Sequence, residues 1–214
     1  MKILITGSAG FIGFHLAQKL CSEKKNKVFG IDNLSNYYDV DLKKKRNLIL
    51  KNFKNYEFYK FDISSSRVGD LIKSKKIDII FHLAAQAGIR FGVKNPKKYF
   101  DTNIKGFFNI LEFSKKYKVK HLIFASSSSV YGDPKKLPMD EIKTTTDKPL
   151  SFYAATKKSN EVMAYSYSNI YKIPITCLRF FTVYGPWGRP DMFFYKILNA
   201  AKNKKKFPIY NYGN

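Results

Sequence analysis

Apolar and polar positions along this chain change period repeatedly, from short continuous apolar runs to stretches spaced by three and four. Lys2-Ile3-Leu4-Ile5-Thr6 has the length of a buried strand, and Phe14 to Leu20 carries apolar residues at helical spacing, so a helix is predicted over about 11–23. Lys27–Ile31 reads as a second strand, and Leu42–Asn52 as an amphipathic helix with Lys43-Lys44-Lys45-Arg46 on its solvated side. Tyr56–Phe61 alternates like a strand, Val68–Ser74 reads as a short helix and Ile77–His82 as a fourth strand. A long helix over Pro96–Tyr117 and a strand over Lys120–Ala125 follow, and the strand opens into Ser126–Ser129. After a polar loop, Asp133–Leu150, come a helix over Tyr153–Tyr171 and a strand over Ile173–Phe180. The turn-rich Thr182–Pro190, a helix over Asp191–Lys206 and a nascent strand at Pro208–Tyr210 complete the pattern. This alternation of strand and helix predicts an α/β fold with a doubly wound parallel sheet.

The glycines change this from a fold prediction to a functional one. Gly7-Ser8-Ala9-Gly10-Phe11-Ile12-Gly13 joins the first strand to the first helix. In that arrangement the chain turns tightly, and the free N–H groups of Phe11, Ile12 and Gly13 at the helix N-terminus face a pyrophosphate. The spacing is G-x-x-G-x-x-G. Asp32 ends the second strand, nineteen residues beyond Gly13. A carboxylate there accepts hydrogen bonds from adenosine ribose hydroxyls and repels a 2′-phosphate, which points to NAD rather than NADP. Asp62, followed by Ile63, either contacts the adenine edge or caps the next helix. Leu83-Ala84-Ala85 and the small residues after them let the backbone pass close to a ligand. His82, alone after an apolar strand, reads as structural.

Tyr153-Ala154-Ala155-Thr156-Lys157 is the second anchor. Tyrosine and lysine at i, i+4 share a helix face, and an ammonium close to a phenol favours phenolate, so Tyr153 is expected to act as a base with its pKa lowered by Lys157. The serine run should lie at the carboxyl end of the sheet, where ligands of such folds bind.

Composition alters little. Lys and Arg number 39 against 16 Asp and Glu, a net charge of +23. The lysines are dispersed and no nucleic-acid-binding signature accompanies them, so the reading is a lysine-rich surface, with no nucleic acid as partner. Cys21 and Cys177 are too few and too far apart for a metal site or a disulfide framework. No run is long enough to cross a membrane, and a first strand beginning at residue 2 leaves no room for a signal peptide, so a cytoplasmic protein is expected.

The motifs together resemble those of the extended short-chain dehydrogenase/reductases, in the nucleotide-sugar epimerase/dehydratase group. The resemblance runs from residue 1 to the end and is carried by the glycine loop, by Asp32-Asn33-Leu34 with Tyr37-Tyr38-Asp39, by Ala85-Gln86-Ala87-Gly88-Ile89-Arg90 and by Ala125–Gly132. The long run Arg179–Met192 carries it furthest, and within the group it is most similar to the 4-epimerases of UDP-glucuronate. The resemblance implies a Rossmann-like NAD-binding domain over 1–180 and, over 181–214, only the beginning of a smaller substrate-binding domain, since members of the group continue past the equivalent of Asn214. Weak or absent turnover by these 214 residues alone is the corresponding expectation. It implies Ser127, Tyr153 and Lys157 as catalytic residues, and Arg90, Ser128, Ser129, Thr182 and Arg189 around the substrate.

Dehydratases of the group carry Asp-Glu where this chain has Ser128-Ser129, and decarboxylases carry a glutamate at the second position. Two neutral hydroxyls add no acid or base, and they can hold a substrate carboxylate without repelling it. The implied reaction is transient oxidation at C4 of a UDP-sugar, turnover of the 4-keto sugar and reduction on the opposite face, by a homodimer. Another UDP-sugar epimerase, a decarboxylase or an NAD-binding chain without turnover are the alternatives.

Overall fold

A computed structural model of the chain describes residues 1–208, with the side chains of Ile89 and Arg90 left undescribed. Six strands form one parallel sheet: β1 (Lys2–Thr6), β2 (Lys27–Ile31), β3 (Tyr56–Tyr59), β4 (Ile79–His82), β5 (His121–Ser127) and β6 (Ile175–Phe180), in the order β3-β2-β1-β4-β5-β6. The predicted sheet is therefore present. The order reverses between β1 and β4, and open parallel sheets bind ligands at the carboxyl ends beside such a reversal.

The strands read as continuous apolar runs because helices cover both faces. Ile3, Ile5 and Val28 pack with Phe14 and Ala17 of α1 (Phe11–Ser22) and Leu50 of α2 (Val40–Lys51). Leu4, Phe29, Ile80, Leu122 and Phe124 face the other way. They meet Val68 and Ile72 of α3 (Arg67–Lys75), Phe107 and Ile110 of α6 (Gly106–Lys116) and Ala164 of α7 (Phe152–Tyr171). The turn-rich segment leads to α8 (Phe193–Lys202), shorter than the predicted 191–206.

Three local expectations are corrected. The long helix over 96–117 is instead α5 (Pro96–Tyr99), a π-helical stretch (Phe100–Lys105) and α6, preceded by an unforeseen α4 (Ile89–Lys94). The π stretch holds Asn103, whose side chain is tied to other elements rather than to its own helix. β5 runs two residues into the serine run, and Ser128–Tyr131 form a 3₁₀ turn capped by the Ser127 hydroxyl. The basic run on α2 is not wholly solvated: Lys44 and Lys45 are exposed, but Lys43 and Arg46 are buried, because their donors reach oxygens beneath the helix. The expected nascent strand extends into residues 209–210, outside the described residues. Cys21 is buried as a structural thiol should be, whereas Cys177 is exposed on β6.

His82, at the end of β4, has the structural role expected of it. It is buried, its Nδ1 lies 2.8 Å from Thr6 Oγ1 on β1, and its ring packs against Phe107. Burial, with the Lys157 charge in support, pushes its pKa down to about 3. The unfolded chain takes up a proton near pH 6.5 that the folded chain refuses until about pH 3. Its stabilising contribution is thus complete above the unfolded value and is lost as pH falls. Urea unfolding should show stability dropping by about 2 kcal/mol between pH 7 and pH 5, and His82→Gln should flatten that slope.

Candidate active site

The glycine loop is set by its hydrogen bonds. Gly7 and Ser8 both donate to the Ile31 carbonyl, at 2.7 and 3.2 Å, and Gly10 donates to the Gly7 carbonyl at 2.9 Å. Gly7 has φ +74°, and a Cβ there would come 2.8 Å from the Ala84 nitrogen. A Cβ on Gly13 would fall 2.1 Å from the Gly7 oxygen. Only glycine permits this turn. α1 begins directly behind it, without a side-chain cap and without an acid in its first turn. The N–H groups of Phe11, Ile12 and Gly13, unpaired as in any first helical turn, are left for an anion.

Asp32 lies beside this loop, accepting from Ala9 N at 3.2 Å and from Leu34 N at 2.8 Å. Burial pushes its carboxyl up, against the backbone donors and the charges of Lys43 and Arg46. Asp62 accepts from the Ser64 backbone and hydroxyl and, at 2.8 Å, from Asn33 on the loop after β2. It thus both closes a turn before α3 and borders the Asp32 loop; Ile63 beside it is buried. Leu83 and Ala84 continue β4 past the glycine loop, with Leu83 N donating to the Thr6 carbonyl at 3.1 Å and Ala84 N to Thr6 Oγ1 at 3.2 Å. Ala85 is half-buried in the same segment. These residues fit an extended dinucleotide: amides for its pyrophosphate, a carboxylate for a ribose and small residues under its path.

The second half of the site is built on β5 and α7. Ser127 Oγ lies 3.1 Å from Ser129 Oγ and accepts from Ser129 N at 3.2 Å. Ser128 and Ser129 are half-buried. Ser151 caps α7, so Tyr153 sits in its first turn, its ring edge-on to Tyr99 at 6.3 Å. Burial pushes the Tyr153 phenol up, opposed by the Ser127 hydroxyl and the Arg189 charge. Lys157 is buried and donates to the Ala125 carbonyl at 2.7 Å; burial brings its pKa down to about 8. The expected lowering of the Tyr153 pKa by Lys157 is therefore not what this fold shows. The i, i+4 spacing puts both on one face, but the ammonium turns to the end of β5, and the charge felt by the phenol is that of Arg189.

Arg189 is half-buried and paired with Asp191, which also accepts from the Tyr37 hydroxyl at 3.3 Å. Thr182 is exposed, and no hydrogen bond involves it among the described residues. The Arg90 side chain is outside the described set.

Three residues were not singled out from sequence. Asn103 accepts from Gln86 N at 2.8 Å and donates to the Gln86 carbonyl and to Thr156 Oγ1, pinning the loop after β4 to α7. Glu161, one turn beyond Lys157, accepts from Ser126 at 2.6 Å and from two nitrogens of Arg179 at 3.0 Å. Half-buried, which by itself would raise its pKa, it is held below the usual carboxylate range by Arg179 and Ser126. The third, Arg46, reaches the Ala9 carbonyl. A charged side chain that is buried carries no signature in a hydropathy pattern.

The family model for the NAD dependent epimerase/dehydratase family matches residues 3–214. The chain belongs to this family. Among similar members, an uncharacterised protein of Methanocaldococcus jannaschii is 50% identical over 100% of this chain and 66% of its own length. A probable UDP-glucuronate 4-epimerase of Rhizobium meliloti is 46% identical over 100% of this chain and 62% of its own length. The crystal structure of a UDP-glucuronic acid 4-epimerase from Bacillus cereus, in complex with UDP-glucuronic acid and NAD, superposes with a TM-score of 0.89 at 37% identity, covering 96% of this chain and 64% of that one. The chain thus spans a little under two thirds of the length of the family members it matches. Among the described residues, no helix is long and apolar enough to cross a membrane, and no cluster of ligating side chains could hold a metal ion.

The loop geometry generates a binding prediction. NAD⁺ titrated by calorimetry should bind more tightly than NADP⁺, and Asp32→Ala should narrow the difference. Gly13→Ala, which drives a methyl group into the Gly7 carbonyl, should weaken NAD⁺ by tenfold or more, about 1.4 kcal/mol. Tighter binding of NADP⁺ by the unaltered chain would refute the role given to Asp32.

Proposed function

We propose that this chain carries the cofactor site and catalytic residues of a 4-epimerase interconverting UDP-glucuronate and UDP-galacturonate with bound NAD. One observation carries the reading: Ser127 and Tyr153 face one another at the end of β5, and the two residues after Ser127 are hydroxyls rather than carboxylates. The similarity to UDP-glucuronate 4-epimerases supports it.

Tyr153 takes the proton of the C4 hydroxyl, with Ser127 hydrogen-bonded alongside to orient that hydroxyl and pass the proton. NAD supplies the redox chemistry, accepting hydride from C4 and returning it to the other face of the 4-keto sugar. The Arg189 charge favours phenolate on Tyr153, and Lys157, whose ammonium gives up its proton near pH 8, holds the cofactor ribose. Ser128 and Ser129 donate to the sugar carboxylate. A carboxylate held by hydrogen bonds is less ready to leave as CO₂ from the β-keto acid, so epimerisation wins over decarboxylation. Arg90, from the NAD-binding domain over 1–180, and Thr182 and Arg189, from the beginning of a substrate domain over 181–214, complete the substrate side. A cytoplasmic location is part of the same proposal.

The test uses the chain as given and the chain extended at its C-terminus with the corresponding region of a full-length relative. UDP-glucuronate should give UDP-galacturonate without net redox change in the extended form. Tyr153→Phe should abolish turnover with NAD still bound, and Ser127→Ala should slow it by roughly two to four orders of magnitude. Ser128→Ala and Ser129→Ala should each cost about 1.5–3 kcal/mol with the acid sugar and little with UDP-glucose. A preference for UDP-glucose, or equal slowing of both sugars, would replace this reading with a neutral-sugar epimerase.

A homodimer is the second part of the proposal. Phe100 on the π-helical stretch, Phe108 on α6, and Val162 and Tyr165 on α7 are exposed large apolar side chains on neighbouring elements. Isologous pairing of this face would bury them. Light scattering at micromolar concentration should give twice the chain mass, and Val162→Glu with Tyr165→Glu should return the monomer; a monomer from the unaltered chain refutes the pairing.

A further inference from the structure

Arg46 has no exposed surface, and its guanidinium binds three segments that are distant in sequence. Nη1 donates to the Ala9 carbonyl in the glycine loop at 3.0 Å and to the Tyr38 hydroxyl at 2.8 Å. Nη2 donates to the carbonyls of Trp187 at 2.5 Å and Gly188 at 3.1 Å, the two residues preceding Arg189. The same loop is fastened to α1 by His15 Nε2, 2.9 Å from the Pro186 carbonyl, and by the Trp187 ring, 5.8 Å from that of Phe14. Trp187 has φ +59°, a conformation a tryptophan keeps only where its surroundings impose it.

A guanidinium is costly to bury unless its donors are matched. Here they meet carbonyl and phenol oxygens, and Nε finds no partner among the described residues. What this arrangement provides is a planar fork that fixes two backbone segments at once, which a lysine cannot do. One of those segments wraps the anion site at the start of α1. The other delivers Arg189 to the neighbourhood of Tyr153.

We propose that Arg46 is a positioning residue that locks the glycine loop and the 186–189 loop into one unit, so that a dinucleotide seated on α1 and Arg189 beside Tyr153 are set in place together. This rests on the dinucleotide reading of the glycine loop. Order gained by one loop on ligand binding is thereby transmitted to the other.

The test exploits the composition, because Trp187 is the sole tryptophan of the chain and its fluorescence reports on the 186–189 loop alone. Acrylamide quenching, NAD⁺ calorimetry and thermal midpoints are compared for the unaltered chain, Arg46→Met, Arg46→Lys and Ile72→Ala. Ile72 is buried on the opposite face of the sheet and serves as a control for lost stability alone. In the unaltered chain Trp187 should be shielded, and its emission should change along the same saturation curve as the NAD⁺ heat. Arg46→Met should raise quenching and weaken NAD⁺ about tenfold, and the emission change should disappear. Arg46→Lys, which keeps the charge but not the fork, should show the same local loss with a smaller drop in midpoint, and it carries the test if Arg46→Met does not fold. Ile72→Ala should lower the midpoint while leaving quenching and affinity unchanged. Unaltered Trp187 quenching in both Arg46 variants, or equal effects from Ile72→Ala, would overturn the proposal. Absence of NAD⁺ binding by the unaltered chain would defeat the dinucleotide reading instead, and quenching in the ligand-free variants would still decide whether Arg46 holds the loop.

Discussion

A parallel strand at the centre of a sheet must release its chain within a few residues, and at the end of β1 that constraint organises everything else. Two successive amides, Gly7 and Ser8, share the Ile31 carbonyl of the neighbouring strand, and the chain reverses into α1 with no room for a side chain at Gly13. Because the turn is this tight, α1 starts only a few residues after β1, with its first amides beside the carboxyl end of that strand. Asp32, the small residues after β4 and the end of β5 then have a common place to converge. The fold does not so much contain a cleft as leave one, between the strand order reversal and the helix that starts there.

α7 organises the other side by periodicity alone. Tyr153, Lys157 and Glu161 recur every fourth residue and face the end of β5, each with a different task. Tyr153 meets Ser127, Lys157 meets the Ala125 carbonyl, and Glu161 meets Ser126 and Arg179. Three consecutive residues of one strand are thus read out by one helical stripe, so that a slip of either element would misplace the phenol, the ammonium and the serine together. The Glu161–Arg179 pair extends the same register to β6.

Much of this could be read from the chain. Continuous apolar runs such as Ile3-Leu4-Ile5 gave the strands, because a strand covered on both faces has no polar alternate. The glycine spacing gave the turn, and Tyr153–Lys157 gave a shared helix face. What remained hidden were contacts decided in three dimensions. Arg46 and Lys43 looked like the wet side of an amphipathic helix, since hydropathy counts a guanidinium as polar whether it meets water or carbonyls. The direction taken by Lys157 was equally invisible, because spacing fixes where a side chain starts and not which oxygen it finds. Asn103 lay within an apolar helical pattern, and only its partners on the loop after β4 and on α7 mark it.

The π-helical stretch at Asn103 carries a further consequence. A π turn holds one residue more than an α turn, so the helix before it and the helix after it are out of phase by about 100°. α5 aims the Tyr99 hydroxyl at the loop after β4, while α6 aims Phe107 and Ile110 at the sheet, and the extra residue of the π turn sets the angle between the two. Deleting one residue between Phe100 and Lys105 would leave an apolar core of unchanged composition. It would also swing the entire Pro96–Tyr99 turn around its axis, away from Tyr153. This part of the site is held by a count of residues, and a shortened helix could fold well while presenting the wrong face.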